Sequence, residues 1–543
     1  MQINPQRFQA ASRRWAFYFA LALILLTSIP YLAGGFLPAP GWVFSGFVFG
    51  VEDGNSYIAK MLAGSAGDWL FKTPYTAFPQ QGVIAFIPYL LLGKLAPAGQ
   101  HEQLVVLFHL FRLTGILACV VAVYDFAGLF LRQENPRRLA VALAVAGGGL
   151  GWLSILGVRW SGYAQLPLEF YSPETFGFLS VLGLPHLLWA RALFLWGLAT
   201  LYRCAGGENW RLIGFKTGML WLALGLFQPV NIPIAWLVGG TGILAGLAFQ
   251  KANKTQPHPA AATAWQARLK AALLAGAISS PLPVYSFFAY TAHPFLRQWM
   301  AQNIILSPPA GDYLLSLAPA LLMAVVGAAW AWRERLAAAS LAAGWLLLFP
   351  LLAYAPHNLQ RRFPEAIWVL ISILAVAALT KMKPRFSRVG YAVLISGFVT
   401  TLILYAGSLM AVLVPAQPVF IPKEEVNAFR YIRSVSAGRP VVLANFHLSN
   451  RLPAWAFVHT ITGHGPESMH LAQIQPRVER FFSNQMSATE AADFLAEQRI
   501  SYVLTAPQEQ FDAAELGALV QKRFQDGGYR VYEVFLPGQP GNE

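Results

Sequence analysis

Residues 13–37, RRWAFYFALALILLTSIPYLAGGFL, set an arginine pair against an apolar run from Trp15 to Leu37. At 1.5 Å per residue, a helix of that length crosses the roughly 30 Å hydrocarbon core of a bilayer. The run is too long for the apolar part of a signal peptide and no small-residue cleavage site closes it, so it reads as an uncleaved first span. Working outward, comparable blocks lie near 104–131, 139–158, 184–202, 212–228, 231–250, 271–290, 313–332, 337–354, 364–380 and 389–413. The 543 residues are 56% hydrophobic and 12% charged, against about 25% charged in soluble domains. The expected fold class is a polytopic α-helical membrane protein of about eleven transmembrane helices.

The formal charge of +14 does not point to nucleic acid, because the basic residues follow a topology. With the N-terminus inside, the inside segments hold Arg7, Arg13, Arg14, Arg132, Arg137, Arg138, Arg203, Arg211, Lys216, Lys251, Lys254, Arg268 and Lys270, then Arg333, Arg335, Lys381, Lys383, Arg385 and Arg388. These are 19 of the 28 Lys and Arg before residue 414, the positive-inside pattern of a cytoplasmic (inner) membrane protein. The stretch Gly82 to Ala96 is apolar, but about 15 residues with Pro88 inside suit an interfacial or re-entrant helix better than a span. The first outside loop is therefore 38–103; the other outside pieces are 159–183, 291–312, 355–363 and everything after 413. Cys119 lies within an apolar segment and Cys204 at the end of another, which supports neither a disulfide framework nor a thiolate metal site.

The tail is a different material, with 11 Lys and Arg against 13 Asp and Glu. Helices are expected at Glu424–Val435, Leu471–Phe482, Ala488–Gln498 and Ala513–Phe524, and strands at Pro440–Asn445, Ser501–Thr505 and Tyr529–Phe535. The division is thus a transmembrane part, 1–413, and a small extracytoplasmic α/β domain, 414–543.

Three groups of residues can carry chemistry. After the first span the loop reads GVEDGNSYIAKM, residues 50–61, with Glu52 and Asp53 adjacent. Asp53 or Asn55 could cap a short helix; an ionised carboxylate at the membrane surface could equally act as a general base or bind a divalent cation, Mg or Mn. The second group is YAPHNLQRRFPE, residues 354–365. An arginine pair outside runs against the positive-inside bias and suits an anion: Arg361 and Arg362 can grip a lipid phosphate, with Asn358 and Gln360 as neutral partners. The competing reading is snorkelling to headgroups or pairing with Glu365. Third, His109 and Arg112 fall near the outer end of the second span, where a charge is costly and points to function. Glu169, Glu174, His186 and Arg191, and His293, Arg297, Gln302 and Asn303, read mainly as structural. In the tail, Gly463 to Glu467 could be a turn that aims His464 at the membrane or a plain loop. No zinc-ligand spacing and no serine nucleophile elbow occurs.

These residues in this order resemble the GT-C class of membrane glycosyltransferases, typified by protein mannosyltransferases and the aminoarabinose transferases of lipid A. That class carries an acid in the first outside loop, commonly Asp-Glu, two residues, then Tyr. Asp53 and Tyr57 keep the spacing; the expected Glu position is Gly54, and the second acid, Glu52, precedes Asp53. Ala85–Leu95 looks like the interfacial helix, Arg112-Leu113 like the Arg-Leu start of the next span, and Asn358–Phe363 like the outside arginine segment. The resemblance implies transfer of a sugar from a polyprenyl-phosphate donor to an acceptor on the outer face. Asp53 is then the base, Glu52 assists or holds a cation, and Tyr57, His109, Arg112, Asn358, Gln360, Arg361, Arg362 and His464 contact substrates. A transporter or flippase of an anionic lipid, and a non-catalytic cell-envelope scaffold, are the other readings.

The topology is testable in a Cys119→Ala, Cys204→Ala background. An impermeant maleimide on intact cells should label Ala437→Cys and spare Gln9→Cys; the reverse pattern would invert the orientation.

Overall fold

The computed structural model describes residues 5–158, 166–204, 209–252, 259–334 and 338–535. Lys254 and Arg335, counted above among the inside basic residues, and the end of the tail lie outside the described residues. Helix is present in every segment read as a span. Among the described residues, five helices are long and apolar enough to cross a membrane: Arg13–Phe36, His101–Ala127, Asn231–Ala248, Gln360–Leu379 and Pro384–Leu413. Two further pairs, Thr263–Ser279 with Pro281–Ala292 and Ala310–Leu317 with Ala320–Arg333, reach spanning length only across bends of 44° and 73°, giving up to seven.

Breaks in the helical ladder account for part of the difference between these counts and the eleven expected. Pro281 and Pro319 stand at the two bends, where a missing N–H and a ring clash interrupt the helical ladder. The block read as 139–158 is a helix only over Glu134–Ala146, about 20 Å long, after which Gly147, Gly148 and Gly149 release the chain into a short 3-10 turn at Gly151–Leu156. A Cβ on Gly149 would come within 1.5 Å of the Ser316 carbonyl oxygen, so two backbones touch there. A hydropathy count passes straight through those glycines.

The chain divides into two compact units, Met1–Ile29, Leu110–Phe288 and Ile304–Ser408 in one, and Pro30–His109, Ala289–Asn303 and Leu409–Glu543 in the other. In the first, the helix Ile367–Leu379 is buried along its whole length, as expected of a helix apolar all round. It packs on Ala320–Arg333, where Gly327 lies against the Leu374 carbonyl.

The second unit combines the first loop with the tail. Trp42–Phe44 pairs antiparallel with Phe420–Pro422. A five-stranded sheet runs in the order His459–Thr460, Val441–Leu443, Ile500–Thr505, Tyr529–Val534, Val520–Asp526. The first three strands are parallel and the last two antiparallel. Helices Lys423–Val435, Leu471–Phe482 and Ala488–Glu497 accompany it, and Val478, Phe481, Phe494, Val503 and Tyr532 share its core. The expected helix Ala513–Phe524 is corrected: a 3-10 stretch, Ala513–Leu519, broken at Gly517, leads into the strand Val520–Asp526. Asp526-Gly527-Gly528 then turns the hairpin with Gly527 at φ 54°, the residue choice such turns favour.

In the first loop, Gly82–Ala96 contains a helix of only seven residues, Ile87–Gly93, too short to span. It crosses the helix Val51–Ser65 at two glycines: a Cβ on Gly93 would lie 1.8 Å from the Met61 carbonyl oxygen, and one on Gly64 2.0 Å from that of Leu90. Gly93→Ala is therefore expected to cost about 1–3 kcal/mol of stability through overpacking. Gly407→Ala, where nothing lies within 4 Å, should be tolerated. Thermal unfolding in detergent compares the two, and equal midpoints would contradict this packing.

Candidate functional site

The acidic motif opens the helix Val51–Ser65. Its N-cap is Gly50 in a left-handed conformation, without a side-chain cap, so the cap reading for Asp53 and Asn55 is corrected. Glu52 and Asp53 stand instead in the first turn, where the helix dipole favours negative charge. The departure at Gly54 also has a cause: a Cβ there would lie 2.6 Å from the Phe47 ring, which fills the place. Asp53, Ser56, Tyr57 and Lys60 recur at helical spacing and share one face. Tyr57 stacks on Tyr89 with centroids 4.5 Å apart, and His109 is held by the Gly46 carbonyl at 2.9 Å and the Tyr31 ring.

That face meets the tail. His464 Nε2 lies 3.1 Å from Asp53 Oδ1, with the Asp53 side chain 54% exposed and that of His464 15%. His464 Nδ1 is 3.6 Å from Glu467 Oε1, and the same oxygen receives Lys60 Nζ at 2.7 Å in a fully buried ion pair. Ser56 Oγ donates to Glu467 Oε1 at 3.1 Å, and Thr73 Oγ1 to Oε2 at 3.0 Å. The Lys60 ammonium also sits 4.3 Å from the Phe86 ring centroid, a favourable site for a desolvated cation. Burial pulls Lys60 below its usual range, an effect Glu467 opposes. Burial works to raise Glu467 too, but Lys60 and His464 outweigh it and hold the carboxyl below the usual carboxylate range.

Asn450 ties the start of the acidic helix to the tail. Its Oδ1 accepts from Asn55 Nδ2 at 2.9 Å, its Nδ2 donates to the Glu52 carbonyl at 3.3 Å, and its carbonyl accepts from Tyr75 O–H at 3.1 Å. Burial pushes the Tyr75 phenol well above its usual value, which keeps it a donor. Its ring lies against His464, centroids 5.6 Å apart.

The arginine loop belongs to the other unit. Ile305 exchanges backbone hydrogen bonds with Asn358 and Arg361, at 2.6 and 3.2 Å, and Gln360 Oε1 accepts from Ser307 N–H. The Arg361 guanidinium lies over the Tyr171 ring at 4.8 Å. Arg362 Nε is 3.3 Å from Glu174 Oε1. The pairing of this loop with Glu365 is corrected: Glu365 is buried against Arg191 at 2.9 Å. Arg191 also donates to the Pro173 and Glu174 carbonyls. Arg112 is buried, donating to Thr27, Ser28 and the Val181 carbonyl, contacts that tie helices together. An apolar cavity of about 550 Å³ in this unit is walled by Trp221 and Trp236 and opened by Gly239, Gly240 and Gly276.

Lys60, Glu467, Thr73, Tyr75 and Asn450 had no signal of their own in the sequence; the helical spacing from Asp53 to Lys60 was the one clue available. For a divalent cation the donor set does not fit. Glu52 and Asp53 are consecutive on a helix and diverge. No group of three or more His, Cys, Asp or Glu that could hold a metal occurs among the described residues.

No protein-family description and no curated protein matches the chain. Solved structures do. The oligosaccharyltransferase of Archaeoglobus fulgidus in its apo form aligns with TM-score 0.56 at 13% identity, over 90% of this chain and 69% of that one. The oligosaccharyltransferase AglB of the same organism, in complex with an inhibitory peptide and a dolichol-phosphate, aligns with TM-score 0.53 at 13% identity, over 91% and 69%. The arabinofuranosyltransferase AftD from Mycobacteria aligns with TM-score 0.56 at 14% identity, over 96% of this chain but 40% of its own length. At such identities the likeness is one of fold, and the fold is that of the GT-C membrane glycosyltransferases.

Proposed function

We propose that the chain is a glycosyltransferase that moves a sugar from a polyprenyl-phosphate donor to an acceptor on the outer face of the cytoplasmic membrane, with Asp53 as the base. The observation that carries this reading is the half-exposed Asp53 carboxylate at the head of its helix, hydrogen-bonded to His464. An ionised carboxylate that is accessible yet held in one orientation is what proton abstraction requires.

In the reaction, the acceptor hydroxyl oxygen attacks the anomeric carbon while its proton passes to Asp53. The bond from that carbon to the phosphate oxygen breaks, and polyprenyl phosphate leaves with the bonding pair. Arg361 and Arg362 neutralise the departing phosphate, with Gln360 and Asn358 in the same loop. Fixed cations serve such developing charge well because they need no reorganisation. Stacking on Tyr171 and pairing with Glu174 hold the two guanidinium groups in place. The apolar cavity near Trp221 suits an isoprenoid chain. Tyr57 and His109 shape the ground beside the acid. The solved relative in complex with a dolichol-phosphate lends support to a lipid-phosphate donor. The topology proposed with this function has an odd number of crossings, eleven by hydropathy, so that the tail stands outside.

The test is transfer of label from a panel of radiolabelled polyprenyl-phosphate sugars to membrane extract by the purified protein. Asp53→Asn, which keeps shape and removes charge, should lower the rate by about 10²–10⁴-fold with expression and insertion unchanged. Arg361→Ala with Arg362→Ala should weaken use of the donor. Full activity in Asp53→Asn would remove it as the base. Movement of lipid between leaflets without sugar transfer would favour a transporter, and tolerance of alanine at all these positions a scaffold.

A further inference from the structure

The segment Gly463 to Ser468 is fastened more heavily than a surface turn needs. Ser468 Oγ donates to the His464 carbonyl at 2.9 Å and Gln302 Nε2 to the Ser468 carbonyl at 2.8 Å. Gly463, at φ 130°, lies so close to Ser449 that a Cβ would sit 2.5 Å from its carbonyl carbon. The strongest tie is Glu467, whose carboxylate gathers Lys60, Ser56 and Thr73, all from the first loop. Lys60 lies two turns beyond Asp53 on one helix, and Glu467 lies three residues beyond His464 on one loop. The ion pair and the Asp53–His464 hydrogen bond therefore connect the same two pieces of chain.

We infer that Glu467 and Lys60 are positioning residues for the candidate base: their buried ion pair, anchored by Thr73, fixes the Gly463–Ser468 loop so that the His464 imidazole is aimed at Asp53. This deepens the reading of Asp53 as the base and rests on it for its consequence in catalysis. Two fixed points on each side set the direction of the imidazole, where one would leave it free to swing. Glu467 Oε1 beside Nδ1 and Asp53 Oδ1 beside Nε2 place a carboxylate at each ring nitrogen. The tail thus contributes directly to the orientation of an acid that lies about 400 residues earlier in the chain.

The experiment uses the full chain in detergent and three readouts: deuterium uptake of residues 463–468, the rate at which diethylpyrocarbonate modifies His464, and kcat and KM for sugar transfer. Glu467→Gln should raise uptake and His464 reactivity several-fold. It should lower kcat by about 10- to 100-fold, the scale of a misplacement near 1 Å, with KM unchanged. Because Glu467→Gln leaves a lone buried ammonium and can unfold the unit, the double variant Lys60→Met with Glu467→Gln, which removes both charges, is measured beside it. Thr73→Val should move all three readouts the same way and Thr73→Ser should restore them, because only the serine keeps the hydroxyl. Uptake and His464 reactivity that match the wild type in Glu467→Gln and in the double variant would overturn the inference. Transfer that survives Asp53→Asn would instead remove the base reading, and the first two readouts would still decide the positioning.

Discussion

The second unit turns on one contact, the ion pair between Lys60 in the first loop and Glu467 in the tail, fully buried and ringed by Phe71, Phe86, Ser56 and Thr73. Two charges out of water are costly, and their attraction offsets that cost only when the geometry is good and the remaining valences are filled. Here hydroxyls and aromatic faces fill them. A pair of this kind adds little net stability over an apolar substitute, but it penalises every arrangement in which one partner is left alone. It therefore selects one register of tail on helix, and in that register His464 meets Asp53.

The first unit solves a similar problem differently. Arg191 and Glu365 are buried together, and Arg191 spends its other donors on the Pro173 and Glu174 carbonyls. Glu174 in turn holds Arg362. The chain of contacts runs from an interior helix to a polar loop, so Arg362, proposed to face phosphate, is supported from behind by charge. Arg361, by contrast, is held through its backbone and by the Tyr171 ring. The two guanidinium groups are thus fixed by independent means.

Much of this was legible in the sequence. The helix Leu471–Phe482 was readable to the residue, because Ile474, Val478, Phe481 and Phe482 repeat at the helical period and bury one face. The strands at 441–443, 500–505 and 529–534 were readable from apolar runs bounded by turn residues. The region 513–524 was not, since its apolar residues match a helix until Gly517 is weighed against the Asp-Gly-Gly turn that follows. Among the described residues five to seven helices reach spanning length where eleven blocks were expected, and part of that difference lies where proline and glycine interrupt long apolar blocks, which mean hydropathy does not register. Lys60 was unreadable for a deeper reason: a lysine on a short helix normally faces water, and its partner lies 407 residues away. Only the fold brings such residues together, which is why Asp53 could be named from its own loop while the group that orients it could not.

Lys60 and Glu467 act as one unit, and a double-mutant cycle on thermal or denaturant unfolding measures the coupling between them. Removing either partner alone, in Lys60→Met or Glu467→Gln, should cost about 3–5 kcal/mol because a buried charge is left unpaired. Removing both should cost less than the sum by about 1–3 kcal/mol, the coupling energy expected between contacting residues. Additive losses would mean that the two side chains do not sense each other, and the account of how the tail orients the acidic helix would be wrong.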